Sequence, residues 1–413
     1  MGLVLVTDAS ERAALAVIRS LGKKGIKVLA ADYTGFNAGF LSKYCVHKVT
    51  YPSPIENKER FVESLLRLVK NMKLDLLIPV TDFTMIPIIE RRDEFEDYVR
   101  VAAPPYEVAM KAYDKFQTVS IAQRCEVPHP KTFLIDSEKT LREAAGELNY
   151  PVVIKPRMKV FWKNGKAVIM KVTSSNYAYN KKDLQIKYDQ LASKFRDIIP
   201  SDFFIIQEYA QGIGYGVEVL MSDSSVMALF MHKRLREYPV TGGASTLRVS
   251  VWNRRLAEYS IKLLRGMNWQ GVAMVEFKLD EKNGSVNLME INGRFWGSLP
   301  LTINAGVDFP YFLYRYLVKK ENLKPSSYKL NVKQRWLIPG DILWLYSSIT
   351  NTHNVFTSIK DFTASFSVAD DVVSLDDSAP TVGALLTSLS LFIDVLKGQR
   401  SITGELLKVS KEA

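Results

Sequence analysis

The segments Val275-Glu276-Phe277-Lys278 and Met289-Glu290-Ile291-Asn292-Gly293-Arg294 are two apolar stretches, each interrupted by a glutamate. Between them, Asp280-Glu281-Lys282-Asn283-Gly284-Ser285 is a turn sequence. A hairpin centred on Asn283 pairs positions whose numbers add to 566, which sets Glu276 opposite Glu290. Opposed side chains lie about 5 Å apart at Cβ, and two carboxylates at that distance repel unless a cation lies between them. Asn292 and Arg294 follow at a spacing of two and project from the same face. Two carboxylates and an amide oxygen are hard ligands suited to Mg²⁺ carried on a triphosphate. An arginine beside them can hold phosphate oxygens bidentately. The competing reading is a solvated hairpin face. It is weakened by apolar neighbours such as Val275, Phe277, Leu288 and Ile291, because a glutamate inside such strands needs a partner.

Upstream, Val152-Val153-Ile154-Lys155-Pro156 ends a buried strand on a lysine, and Tyr113-Asp114-Lys115 places another on a helix. Ile205-Ile206-Gln207-Glu208-Tyr209-Ala210 runs into Gly212-Ile213-Gly214-Tyr215-Gly216, a strand followed by an extended hinge. Each piece alone is weak, since a strand-end lysine is more often merely exposed. From Val152 the texture is α+β, with strands expected at Val152 to Lys155, Phe203 to Gln207, Val217 to Met221, Met227 to Met231, Gly271 to Leu279 and Val286 to Ile291. The first 110 or so residues differ. Strands at Leu3 to Val6, Lys27 to Ala31 and Leu76 to Val80 alternate with helices at Glu11 to Leu21 and Arg60 to Met72, the pattern of a doubly wound parallel sheet. The first turn reads Thr7-Asp8-Ala9-Ser10. It lacks the Gly-x-Gly-x-x-Gly fingerprint, which removes the main support for a dinucleotide enzyme.

The chain has 413 residues, 47% hydrophobic and 24% charged, which predicts two or three globular domains. Its 55 Lys and Arg exceed its 44 Asp and Glu, a net +11 spread along the chain. Without a basic stripe or motif, nucleic acid is not the expected partner. Polyanions such as ATP fit that balance better. Two cysteines, Cys45 and Cys125, give no disulfide framework, and the expected location is the cytoplasm. Met1 to Val6 reads as a strand rather than a leader. The longest uncharged apolar run, Thr381 to Val395 apart from Asp394, is too short for a membrane span. The four histidines, at positions 47, 129, 232 and 353, form no nucleophile motif.

Taken in order, Asp114-Lys115, Ile154-Lys155-Pro156, Gln207-Glu208-Tyr209-Ala210, Glu276, and Glu290-Ile291-Asn292 with Arg294 resemble the ATP-grasp superfamily. The nearest likeness is to the branch containing carbamoyl-phosphate synthetase large subunits and biotin carboxylase, over about residues 1 to 320. The resemblance implies a biotin-carboxylase-like α/β domain at 1–110, a two-lobed ATP-grasp domain at 111–322 and a small extension at 323–413. It also implies an enzyme that uses ATP and Mg²⁺, with Mn²⁺ as a substitute, to activate a carboxylate as an acyl phosphate for an amine. Lys115 and Lys155 would bind phosphates. Gln207, Glu208, Tyr209 and Ala210 would meet the adenine, and Glu218 the ribose. Glu276, Glu290 and Asn292 would hold the metal, and Arg294 would steady the transferred phosphoryl group.

Residues His232 to Ser245 would lie across the active site. Arg234 and Arg236 alternate about Leu235 and, on a strand, would share a face toward an acid. Thr241-Gly242-Gly243 would offer backbone amides to an oxyanion. Asp8, Ser10 and Thr81-Asp82 sit where doubly wound sheets bind ligands. The acid would be a small molecule or peptide-like, and a homodimer stays open. One departure stands out. The family's glycine-rich loop after the second lysine is here Arg157-Met158-Lys159-Val160-Phe161-Trp162-Lys163-Asn164-Gly165-Lys166, with one glycine. Without a Met-Lys-Met biotin motif or a second ATP-grasp unit, full biotin-dependent and carbamoyl-phosphate activities are disfavoured. The remaining alternatives are phosphorylation of a small acid such as bicarbonate or carbamate, and a nucleotide-binding regulatory module without turnover.

Overall fold

The structure, a computed structural model, describes residues 2–222, 224–239, 242–351 and 355–396. Strands β1 (Leu3–Val6), β2 (Lys27–Asp32), β3 (Cys45–Thr50), β4 (Leu76–Ile78) and β5 (Arg100–Val101) form a parallel sheet in the order β3-β2-β1-β4-β5. Apolar residues run continuously in β1 because both faces are covered. Val4 and Val6 pack with Val17 and Ile18 of helix α1 (Arg12–Lys23), whereas Leu5 faces Phe61 and Ile88 on the opposite side. The doubly wound parallel sheet expected for the first 110 residues is therefore present. Helix α2 (Asp82–Glu90) starts at the carboxyl end of β4.

A second, antiparallel sheet has the order β10-β7-β11-β6, from β6 (Thr132–Ile135), β7 (Val152–Pro156), β10 (Tyr177–Ala178) and β11 (Phe204–Glu208). Helix α3 (Lys115–Arg124) precedes it, capped by the Asp114 carboxylate, which accepts from the N–H groups of Phe116 and Gln117. The stretch after Lys155 is not an open loop. It forms a hairpin of β8 (Val160–Lys163) and β9 (Lys166–Ile169), closed by Asn164 and Gly165, both at positive φ (51° and 78°). That is the Asn-Gly two-residue turn of a tight hairpin, and one glycine suffices for it. The hairpin leans on the first sheet's layer: Trp162 Nε1 donates to Pro54 O at 2.8 Å and Ala167 N to Ile55 O at 2.8 Å.

The third sheet has seven strands in the order β16-β15-β12-β13-β14-β17-β18. These are β12 (Ile213–Ser222), β13 (Ser225–Tyr238), β14 (Ala244–Ser250), β15 (Gly271–Leu279), β16 (Val286–Asn292), β17 (Lys333–Arg335) and β18 (Ala369–Asp370). Its back face (Val217, Met231, Ala273, Val275) buries against Leu256 and Leu263 of helix α4 (Arg254–Gly266). On the front face Leu220, Phe230, Val272 and Met274 join the core beneath the parallel sheet. Further along the same strands that face becomes polar. Residues beyond 322 thus supply two strands of this sheet, β17 and β18. Helix α5 (Leu299–Ala305) packs near β14 and β17, and helix α6 (Pro380–Leu396) near residues 38–41. Among the described residues no helix is long and apolar enough to cross a membrane.

Candidate active site

Register builds the site. Met274 faces Asn292, and Glu276 faces Glu290. The pairing shifts by one between Glu276 and Phe277, so Phe277 faces Leu288. A turn centred on Asn283 therefore gives the right partner for Glu276 and the wrong one from Phe277 to the turn. An irregularity in the ladder absorbs the difference. Asn292 Nδ2 lies 2.9 Å from Glu276 Oε1 and 3.4 Å from Glu290 Oε1. Its Oδ1 is 3.4 Å from Arg294 Nη2.

Cations already answer the two carboxylates. Lys159 Nζ donates to Glu290 Oε1 at 2.9 Å, and Arg234 Nη2 donates to Glu276 Oε2. Burial raises the pKa of Glu276; Arg234 opposes the shift and Glu290 adds to it. Burial also works against the charge of Glu290, but Lys159 and Lys115 outweigh it and hold this carboxyl below the usual range. The facing pair is thus split into one strongly ionised acid and one reluctant one.

Lys115 and Lys159 line the same cleft, and Lys155 lies close enough to feel Glu290. Burial, reinforced by the nearby Lys159, lowers Lys115 to about 7. Burial likewise lowers Lys155 to about 8, and its ammonium donates to Gln207 Oε1 at 2.6 Å. For Lys159, burial is outweighed by Glu290 and Asp82, so its pKa rises. Asp82, Tyr113, Lys115, Lys159, Glu290 and Asn292 line one pocket. Asp82 is paired with Arg294 through two contacts of 2.9 and 3.1 Å. That pair keeps Asp82 ionised against burial.

Other predicted positions fall differently. Gln207 is buried between Lys155 and Thr132, its Nε2 donating to Thr132 Oγ1 at 2.9 Å. Glu208 turns away and accepts from Asn149 N and Nδ2 at 2.8 and 2.9 Å. Tyr209 is exposed, with Lys278 Nζ 5.6 Å from its ring, and Ala210 is buried. Glu218 cannot be reached by a ribose. It is 0% exposed and lies 2.6 Å from His232 Nδ1. Gly216 makes room for that histidine ring, because a Cβ there would sit 2.3 Å from His232 Cε1.

Arg234 and Arg236 do not share the cleft. The β13–β14 pairing shifts on both sides of Arg236, which undoes simple alternation. Arg234 reaches Glu276, while Arg236 donates to Asp341 Oδ2 at 2.8 Å and stacks over Trp344 at 4.3 Å. Gly242 spends its N–H on Pro239 O at 3.1 Å, and Gly243 turns its carbonyl toward Arg234 Nη1 at 3.3 Å. That stretch offers an acceptor where oxyanion donors were expected. Thr241 lies outside the described residues. Asp8 is structural: its carboxylate takes Thr84 Oγ1 at 2.6 Å and Thr81 N at 3.0 Å, tying the first loop to the fourth. Sequence reading missed His232 and gave Lys159 no partner; strand parity with Gly216 and Glu276 was the available signal for the former.

Residues 201–337 match the family described as ATP-grasp in the biosynthetic pathway with Ter operon. A D-aspartate ligase of Enterococcus faecium is 22% identical over 311 residues, which is 70% of this chain and 71% of that protein. The carbamoyl phosphate synthase large chain of Clostridium acetobutylicum is 18% identical over 288 residues, 66% of this chain but 25% of that protein. Among solved structures, a biotin carboxylase–β,γ-ATP complex from Campylobacter jejuni matches with a TM-score of 0.61 at 18% identity, covering 80% of this chain and 74% of that one. An L-amino acid ligase from Bacillus licheniformis matches at 0.57 and 13% identity, covering 77% and 74%.

Proposed function

This chain has the ATP-grasp fold, and on that premise we propose that it is an ATP-dependent carboxylate–amine ligase. The observation that carries the proposal is the Glu276–Glu290 pair, directly opposed beside Asn292, with Lys115 and Lys159 lining the adjoining cleft and Lys155 near Glu290. Divalent metal fits this donor set. No group of three or more His, Cys, Asp or Glu is poised for a metal among the described residues, so phosphate oxygens would complete the shell, as is usual for Mg²⁺. Asn292 would contribute its oxygen by turning its amide. When bound, Mg²⁺ neutralises charge on the transferring phosphoryl group.

The chain's own residues do the rest. Lys115 and Lys155 take phosphate charge. With Glu276 holding the metal, Arg234 would be free to turn to the carboxylate of the acid. Arg294, fixed by Asp82, faces the phosphoryl group. A carboxylate oxygen of the acid attacks the γ-phosphorus and ADP leaves. The amine then attacks the acyl carbon and phosphate leaves. Positioning and charge neutralisation account for such a reaction without a protein nucleophile. The relative named D-aspartate ligase makes an amino acid the first acid to try.

The test is Mg²⁺-dependent ADP release in a screen of amino acids, dipeptides and nucleotide-linked acids with amine acceptors. At least one acid should raise ADP release well above the acid-free rate. ADP release with bicarbonate alone would favour small-acid phosphorylation. Absence of nucleotide binding would remove the ligase reading.

A further inference from the structure

The stretch after Lys155 carries four basic residues, Arg157, Lys159, Lys163 and Lys166. Three of them lie elsewhere. Arg157 is ion-paired with Asp114 and Asp202. Lys163 donates to Asp197 O, and Lys166 is exposed beside the Asn164-Gly165 turn. Lys159 alone of the four lines the cleft, 2.9 Å from Glu290 Oε1.

The hairpin that follows Lys159 is held from two sides. Phe161 and Val168 oppose each other and pack on the core of the second sheet, with Ile154 and Phe204. Trp162 is the next residue of β8 and so projects from the other face. It packs against the cluster of Phe61 and Leu65 in the first sheet's layer. Its Nε1 donates to Pro54 O at 2.8 Å, and Lys58 Nζ stands 5.9 Å from its ring. Two backbone bonds close the seam: Ala167 N donates to Ile55 O and Lys58 N to Gly165 O, both at 2.8 Å. At the start of β8 the Tyr113 hydroxyl donates to Val160 O at 2.8 Å and accepts from Val160 N at 3.0 Å. Lys159 directly precedes Val160, so this clasp fixes the backbone from which its ammonium reaches Glu290.

Glycine-rich loops hold phosphate through backbone N–H groups. Here the hairpin and its seam take several of those groups: Val160 N goes to Tyr113, Ala167 N to Ile55 O and Met170 N to Lys159 O. A cationic side chain is the stronger contact left to this stretch. Phosphate oxygens completing the shell of a metal on Glu290 would lie beside the oxygen that Lys159 already contacts.

We infer that Lys159 is a further phosphate-contacting residue of this site, and that Trp162 is its positioning residue, holding the hairpin from the first sheet's layer. The inference rests on the ligase reading. It gives residues 54–58, remote from the metal pair in sequence, a share in nucleotide affinity. Lysine and tryptophan then act as one unit, and their effects are not additive.

The experiment is a double-mutant cycle on the full-length protein, titrated with Mg²⁺ and a non-hydrolysable ATP analogue, with melting temperatures alongside. Lys159→Met, which keeps the stem, should weaken the analogue about tenfold or more and leave AMP affinity unchanged. Lys159→Arg should restore most of the loss. Trp162→Phe, which keeps a ring but loses the N–H, should weaken the analogue about threefold, and should have no further effect in the Lys159→Met background. Amide exchange gives the same answer without a tryptophan variant. Bound analogue should slow exchange at Lys58 and Ala167 in the wild type, and less so in Lys159→Met, because coupling is reciprocal. Unchanged analogue affinity in Lys159→Met overturns the contact, and tighter affinity shows a lysine that only blocks Glu290. A Trp162→Phe loss of equal size in both backgrounds, or exchange rates indifferent to the analogue, overturns the positioning role. Failure of the wild type to bind any nucleotide removes the ligase reading itself, whereas wild-type binding with unaffected variants removes this inference alone.

Discussion

Two regions of the third sheet bury comparable charge to opposite effect. At the β15–β16 end, Glu276 and Glu290 are half-buried, each paired to one cation, with two neighbouring lysines pushed well below their ordinary pKa. At the β14–β17 end, Asp341 is 0% exposed, accepts from Arg236 at 2.8 Å and from Thr246 at 2.9 Å, and is ion-paired with Arg335 at 2.7 Å. The first set is strained in charge and open to a cleft, so a ligand can relieve it. The Asp341 set is sealed under Trp344 and Phe362 and joins the C-terminal residues to β13. Residue types do not distinguish these roles; exposure to the cleft does.

The sharpest way to break this comparison is Glu290→Gln. If the pair holds metal, ADP formation should fall by about three orders of magnitude or more, the scale of losing a key electrostatic stabiliser. The melting temperature without Mg²⁺ should fall modestly, because Lys159 and Lys115 lose the carboxylate that answers them. Normal turnover would put the metal elsewhere. Asp341→Asn is the complementary test at the sealed end. It leaves Arg236 and Arg335 buried without a charge partner, at a cost of about 3–5 kcal/mol. Denaturant unfolding should show that loss, while nucleotide affinity in the folded fraction stays unchanged. A change in nucleotide affinity with intact stability would mean that Arg236 belongs to the site after all.

The two ends also differ in how legible they were. Strands alternating with helices gave the parallel first sheet, and apolar strands about a turn centred on Asn283 gave the span Gly271–Leu279 and the facing of Glu276 and Glu290. Those features depend on local period and on one turn. Arg236 misled because period-two reasoning assumes a regular ladder, and the β13–β14 irregularity is set by β14, a strand not expected from Ala244 to Ser250. Glu218 misled because its partner, His232, is 14 positions away on the next strand. The partners of Arg236 and Arg248, Asp341 and Asp371, are 105 and 123 residues away. No local pattern reports such pairs. The loop after Lys155 was read by its lack of glycines, when Asn164-Gly165 was the informative signal.

A smaller effect tests the lysines. Lys155→Ala should weaken ATP binding about 10- to 100-fold, the range for losing a charged hydrogen bond. Proton linkage gives a second readout. Phosphate contact restores the charged form, so on nucleotide binding near pH 8 Lys115, lowered to about 7, and Lys155, lowered to about 8, should take up protons from solvent. Calorimetry in buffers of different ionisation enthalpy should show an uptake that Lys155→Ala reduces. The sign for the free protein is opposite. These lysines have folded values below their unfolded ones, so the unfolded chain binds more protons. Stability should therefore rise with pH from about 7 toward the ordinary lysine value. Proton release on nucleotide binding would contradict the phosphate-facing assignment.

The smallest expected effect concerns Arg234, which the comparison casts as a placeholder on Glu276. Its side chain is 15% exposed and that of Glu276 is 14% exposed, so the pair lies between the sealed and the open extremes. A metal held on Glu276 would compete with Arg234 for that carboxylate, and metal affinity would then carry the cost of loosening the pair. Partly exposed pairs contribute about 0.2–1 kcal/mol, so Arg234→Met should tighten Mn²⁺·ADP binding by about two- to fivefold. ADP is the right probe because it has no γ-phosphate for Arg234 to contact. Met keeps the stem beside Gly214, whose missing Cβ would otherwise sit 2.8 Å from Arg234 Cδ. Electron paramagnetic resonance of bound Mn²⁺ measures the change directly. The sign separates the readings: tighter binding fits a competitor that yields to metal, weaker binding fits a direct diphosphate contact, and no change fits an arginine that stays on Glu237, to whose Oε1 its Nη1 donates at 3.0 Å. Acid binding should fall in the same variant, because the guanidinium that metal releases is the one assigned to the carboxylate.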